Sequence, residues 1–256
     1  MELRQYNISP EVTAFSTLRH GGFSIGTYSS FNANCYCGDN PDNVIKNRKL
    51  LCDYLDIPQD RLIIPHQVHQ TKVVKVDVSF LSSSPEAQQQ TLDGVDALIT
   101  NEQGCCICVS TADCIPVIIY DPKHKASAIV HAGWRGTLSK ICERALEKMH
   151  DSYGTENRYC HAVIGPGISK KNFEVGDEVY DAFSMKGFTM SLIAQRYKKW
   201  HIDLFECNRL QLVSSGIPDN QIYVSNICTY DCHKDFFSAR RLGIDSGRIL
   251  TGILIN

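Results

Sequence analysis

The sequence lacks any long apolar run. Its most apolar stretch, Cys114 to Tyr120, falls far short of the ~20 residues that a helix needs to cross a bilayer, so no membrane span is expected. The opening residues, MELRQYNISPEV, include early acidic side chains and no apolar core of a secretory signal, which points to a cytoplasmic protein. An excess of either charge is also missing, since 26 basic and 28 acidic side chains leave a net charge of −2. Without a basic footprint, no nucleic-acid partner and no anionic membrane is expected. No GxGxxG follows a strand, no glycine-rich phosphate loop appears and no GxSxG is found. Those absences remove support for dinucleotide, P-loop and nucleophile-elbow readings.

What the sequence does have is 12 cysteines and nine histidines. In a reducing compartment the cysteines are not six disulfides. Most are expected to be small buried hydrophobes, the usual fate of a free thiol. One or a few are left as metal ligands or nucleophiles.

Short β-branched runs predict strands at Val73–Val78, Ala97–Thr100, Cys105–Ser110, Ile115–Tyr120, Ala126–His131, His161–Ile164 and Gln221–Ser225. Helices are expected at Pro41–Leu55, with Asp39 or Asn40 as cap, and at Leu138–Met149, where Leu138, Ile141, Ala145 and Met149 make one stripe. A third, Asp203–Ser215, stops at Gly216 and Pro218. The Ser/Gln-rich Ser79–Gln90 reads as a solvated loop. Together these give an α/β class, mixed α+β, with mixed β-sheets flanked by helices in a single domain over residues 1–256.

Three segments stand at strand edges: His66-Gln67-Val68-His69, Ala112-Asp113-Cys114, and His131-Ala132-Gly133-Trp134-Arg135-Gly136. Two imidazoles and one thiolate suit zinc, and three protein ligands leave one coordination position open in a catalytic site. The spacing alone is not diagnostic, and a buried thiol or a hydrogen-bonded histidine explains each residue separately. Trp134 and Arg135, between two glycines, would present a ring and a guanidinium to an anionic or base-containing substrate. Arg19 and Arg48 are further candidates for holding a phosphate or carboxylate. Cys35 and Cys37 with Cys228 and Cys232 depart from zinc-knuckle spacing, and Cys106 and Cys108 read as packing on one strand face. Asp93, Asp96, Asp113, Glu174 and Asp177 could assist proton transfer.

Taken in order, these segments resemble one family. The carriers are His66–His69, Asp93-Gly94-Val95-Asp96-Ala97, Thr111–Pro116, His131–Gly136, Ile164–Ile168, Cys228-Thr229-Tyr230 and Phe236–Arg241. The chain resembles the laccase-domain family, also called the multicopper polyphenol oxidase or peptidoglycan editing factor family, from Thr17 almost to its end. The resemblance implies a purine nucleoside phosphorylase (adenosine, inosine, methylthioadenosine, with phosphate as co-substrate) that also deaminates adenosine. It further implies that His69, Cys114 and His131 are the catalytic residues and the ligands of a zinc ion. Asn34-Cys35-Tyr36-Cys37 departs from the family's usual run, so no ligand role passes to those cysteines. Arg19, Arg48 and Arg135 are assigned to the anion, and Gln67 and Trp134 to the base or sugar. Copper is an alternative occupant of such a ligand set, although multicopper oxidation would need H-x-H pairs that this sequence lacks. A cysteine hydrolase, with Cys114 as nucleophile and His131 as base on a peptidoglycan precursor, uses the same residues. A non-enzymatic binding module is the third reading.

Overall fold

The computed structural model describes residues 1–256. It holds nine α-helices and three β-sheets. One sheet has five strands in the order Leu3–Tyr6, Val12–Thr17, Ile249–Ile255, Cys106–Thr111 and Leu62–Ile63. A second has six, in the order Ile222–Val224, His161–Ile164, Ile115–Asp121, Ala126–Ala132, Ala97–Thr100 and Val73–Lys75. Both are mixed. Leu62–Ile63 pairs in parallel with Cys106–Thr111, whereas Ile249–Ile255 runs antiparallel to it. The small third sheet joins Glu174–Val175, Trp200–Ile202 and Ala194–Arg196.

The two large sheets pack face to face. Ile107, Val109 and Ile253 from one meet Leu98, Ile118 and Ile129 from the other in a shared core. The outer face of the five-stranded sheet carries Phe15, Cys106, Cys108 and Leu254 against Leu51, Cys52 and Leu55 of the helix Pro41–Leu55. The outer face of the six-stranded sheet meets the helices Ile141–Tyr153 and Leu204–Ser214. Each central strand is thus buried on both faces, which is why Cys106–Thr111 and Ile115–Asp121 read as continuous apolar runs rather than alternating ones. Successive side chains still point to opposite sides, so Cys106 and Cys108 enter one core and Ile107 and Val109 the other. Burial of each large aliphatic side chain in these cores contributes roughly 1.5–3 kcal/mol.

Helix ends follow local chemistry. The Asn40 side chain accepts from the Asp42 N–H, Pro41 opens the helix and left-handed Asp56 closes it. The segment expected to be a loop at Ser79–Gln90 is instead helical, as Val78–Leu81 and Pro85–Leu92. Asp77 and Ser84 cap these two helices, and the intervening Gln, Glu and Ala residues are good helix formers, so the polarity marks exposure rather than absence of structure. The same Asp77 cap ends the expected strand early, at Lys75. The helix expected from Leu138 begins at Ile141, because Lys140 is left-handed and separates it from Trp134–Leu138. No helix is long and apolar enough to cross a membrane.

Candidate metal centre

His69, Cys114 and His131 come from three separate segments, and their ligand atoms all lie within 4.8 Å of one another. His131 stands near the end of the strand Ala126–Ala132, and Cys114 just before Ile115–Asp121. His69 has a left-handed backbone with φ +63°. Its imidazole meets that of His131 edge to face, with centroids 4.7 Å apart. Gly133 lets these groups converge, since a Cβ there would sit 3.1 Å from both Cys114 Sγ and His69 Cδ2.

Asp96 organises the trio from below. It is fully buried, and its carboxylate lies 2.7 Å from His131 Nδ1. It also accepts the successive backbone N–H groups of Val68, His69 and Gln70 at 3.3, 3.0 and 2.8 Å. Burial alone would raise its pKa, but the His131 contact and these N–H groups hold it below the usual carboxylate value. One carboxylate therefore fixes the backbone of one histidine and the ring of another. Asp113, at φ +89°, anchors the Cys114 turn by accepting from Thr229 Oγ1 and from the Arg240 N–H, each at 2.7 Å. Those contacts explain why the C-terminal motifs accompany the Ala112–Cys114 segment.

Burial would push the Cys114 thiol up, yet His131 and then His69 lower it to about 6. His131 moves the opposite way, to about 9, as Cys114 and Asp96 outweigh its burial. The thiolate is the form that binds a metal. With Nδ1 turned to Asp96, Nε2 is the His131 nitrogen left to bind a metal, which it would do by giving up its proton. Two imidazole nitrogens and a thiolate this close together are ligands that one zinc ion could take. The donor set thus fits a zinc-type ion, and copper accepts the same ligands.

The trio opens onto a cavity of about 530 Å³ whose wall also includes Tyr36, His66, Gln67, Thr111 and Arg248. Of the expected substrate contacts, Gln67 lies at this cavity, where its amide spans the N–H and C=O of Ser110 at 2.7 and 2.9 Å. Arg19, Arg48, Trp134 and Arg135 stand outside it. Arg19 donates to the carbonyls of Ser29 and His233 and lies over Phe237. Arg48 donates to the Ala33 carbonyl, and Arg135 covers Trp134. Sequence reasoning missed Tyr36, the bracing role of Asp96, and Arg248. Arg248 is braced by the carbonyls of Ile244, Ser246 and Gly247.

The other cysteines are free thiols, and Cys52, Cys105, Cys106, Cys108, Cys142, Cys160, Cys207 and Cys228 are buried. Cys35, Cys37, Cys228 and Cys232 do not gather into a ligand group; the one group of three or more close ligand residues is the trio.

A family model described as multi-copper polyphenol oxidoreductase laccase matches residues 13–256. A purine nucleoside phosphorylase of Bacteroides thetaiotaomicron is 48% identical over 248 residues, covering 96% of this chain and 92% of that protein. The adenosine deaminase RL5, from an unknown prokaryotic organism, is 41% identical over 245 residues, covering 94% and 93%. The crystal structure of YlmD from Geobacillus stearothermophilus superposes with a TM-score of 0.92 at 30% identity, covering 100% of this chain and 98% of that one.

Proposed function

The chain belongs to the multi-copper polyphenol oxidoreductase laccase family, and from that premise we propose that it is a zinc-dependent purine nucleoside phosphorylase with adenosine deaminase activity. The observation that carries this reading is the convergence of His69, Cys114 and His131 at the wall of one cavity. The names of its relatives supply the reaction class. Substrates are adenosine, inosine and methylthioadenosine, with phosphate, and residues 1–256 act as one domain.

In phosphorolysis a phosphate oxygen bonds to ribose C1′, the C1′–N9 bond breaks, and the purine departs with its electron pair and a proton. In deamination water replaces the amine at purine C6. His69, Cys114 and His131 would hold a zinc ion, which would supply Lewis-acid chemistry when bound. The chain does the rest. Asp96, 2.7 Å from His131 Nδ1, orients that imidazole, and Gln67, clipped to Ser110, shapes the wall beside it. Arg248 brings a guanidinium held by carbonyls and not neutralised in a salt bridge, suited to the phosphate. Arg19, Arg48 and Arg135, expected to take the anion, are not part of the cavity wall.

A cysteine hydrolase using Cys114 and His131 is the second reading, favoured by the lowered Cys114 thiol. Metal analysis paired with adenosine turnover separates the two. The phosphorylase reading expects stoichiometric zinc in the native protein and loss of both zinc and turnover in Cys114→Ser. Zinc loss with unchanged adenosine turnover would sink it. A metal-free native enzyme, inactivated by a thiol alkylator and protected by substrate, would establish the hydrolase.

A further inference from the structure

A nucleoside brings a flat, unsaturated base, and the cavity wall offers few flat surfaces to receive one. Four unsaturated rings line it, those of Tyr36, His66, His69 and His131. His69 and His131 are turned edge to face within the trio. His66 has one face covered by Tyr36, with ring centroids 4.4 Å apart and planes inclined by 28°. Tyr36 carries the largest of these rings and is 43% exposed although His66, whose own side chain is 40% exposed, stacks against it.

The pair is held in place from both sides. The Tyr36 N–H donates to Asn34 Oδ1 at 2.6 Å. Asn34 Nδ2 in turn donates to Ser110 Oγ at 2.7 Å, on the strand that leads to Cys114. Behind the stack, His66 Nδ1 lies 2.7 Å from Asp93 Oδ1, and the His66 N–H donates to the Leu92 carbonyl at 3.1 Å. The anchored backbone and the His66 stack restrict the Tyr36 ring before any ligand arrives, which lowers the entropic cost of stacking on it.

We infer that Tyr36 is the platform on which the purine base stacks, with His66 and Asp93 as positioning residues behind it. This inference rests on the purine-nucleoside reading above. Stacking does not discriminate among bases by hydrogen bonds, so the platform holds adenosine and inosine alike. Phosphate does not touch it.

The test compares native enzyme with Tyr36→Leu, Tyr36→Phe and Tyr36→Trp in the zinc-loaded protein. Base–aromatic stacking of the usual strength corresponds to about 5- to 150-fold. Tyr36→Leu should therefore raise KM for adenosine and for inosine by a factor in that range, with kcat and the phosphate KM little changed. Tyr36→Phe should restore native KM. Equal nucleoside KM values in Tyr36→Leu and native enzyme would overturn the platform, as would a rise confined to the phosphate KM. Tyr36→Trp keeps an aromatic face and adds a reporter, so inosine should quench its fluorescence beyond the quench in native enzyme. No additional quench would also overturn the inference. If native enzyme turned over no purine nucleoside, the functional reading would fail on that result, and the quench would still decide whether Tyr36 receives a base.

Discussion

Asp96 and His131 share a buried contact of 2.7 Å between carboxylate and Nδ1, and the same carboxylate takes the backbone N–H of His69. Replacement by Asn keeps the size but removes the charge and one acceptor. The amide would place an N–H against backbone donors or against His131 Nδ1. Outer partners of this kind typically change metal affinity or activity by about 10- to 100-fold. Asp96→Asn should therefore weaken zinc binding by a factor in that range, measured by competition with a chromophoric chelator. Native zinc affinity in this variant would show that Asp96 only supports the fold.

Gly133 tests whether the close approach at the trio matters. Its φ of −66° is open to any residue, so alanine introduces no backbone strain. The added methyl would contact Cys114 Sγ and His69 Cδ2 at 3.1 Å, tighter than ordinary van der Waals contact. Both groups must then shift by a few tenths of an ångström. Gly133→Ala should lower zinc occupancy and adenosine phosphorolysis by about tenfold or more, as misplacement of site groups does, with only a small change in melting temperature. Full zinc occupancy and native turnover would show that the trio tolerates the displacement.

The central strands were legible because a short β-branched run keeps its meaning wherever it sits. The strands Leu3–Tyr6, Val12–Thr17 and Ile249–Ile255 were not picked out: Leu3–Tyr6 pairs with Val12–Thr17, which pairs with Ile249–Ile255 from the other end of the chain, and that strand in turn with Cys106–Thr111. His69, Cys114 and His131 lay in segments at strand edges, but it was the family resemblance that singled out these three among 12 cysteines and nine histidines. Asp96 appeared only as one acid among several, because its four contacts exist only after three segments have met. Tyr36 was hidden in a cysteine-rich departure from the family pattern. The arginines were the least readable. A guanidinium's task depends on the carbonyls around it, and those at Ser29, His233 and Ala33 are remote in sequence from Arg19 or Arg48 or lie in irregular segments. Asn47 illustrates the same difficulty. From within a helix it ties Phe23, Ser24 and Asn32 together through one buried amide, a role that composition cannot disclose.

Arg248 separates the two proposed reactions, because phosphorolysis consumes an anion and deamination consumes water. Its guanidinium lines the cavity, while its Nη atoms rest on the carbonyls of Ile244, Ser246 and Gly247. A hydrogen bond to a charged group contributes about 1.5–3 kcal/mol, which corresponds to roughly 10- to 150-fold. Arg248→Met should raise the phosphate KM by a factor in that range, and so lower the ratio of adenosine phosphorolysis to adenosine deamination. Arg248→Lys should recover part of the loss, since it restores the charge without the fork that fits a phosphate. The ratio is the informative quantity. A loosened Ile244–Arg248 segment would depress both reactions together, whereas loss of a phosphate contact depresses one. An unchanged ratio in Arg248→Met, with the phosphate KM at its native value, would place the anion elsewhere in the cavity.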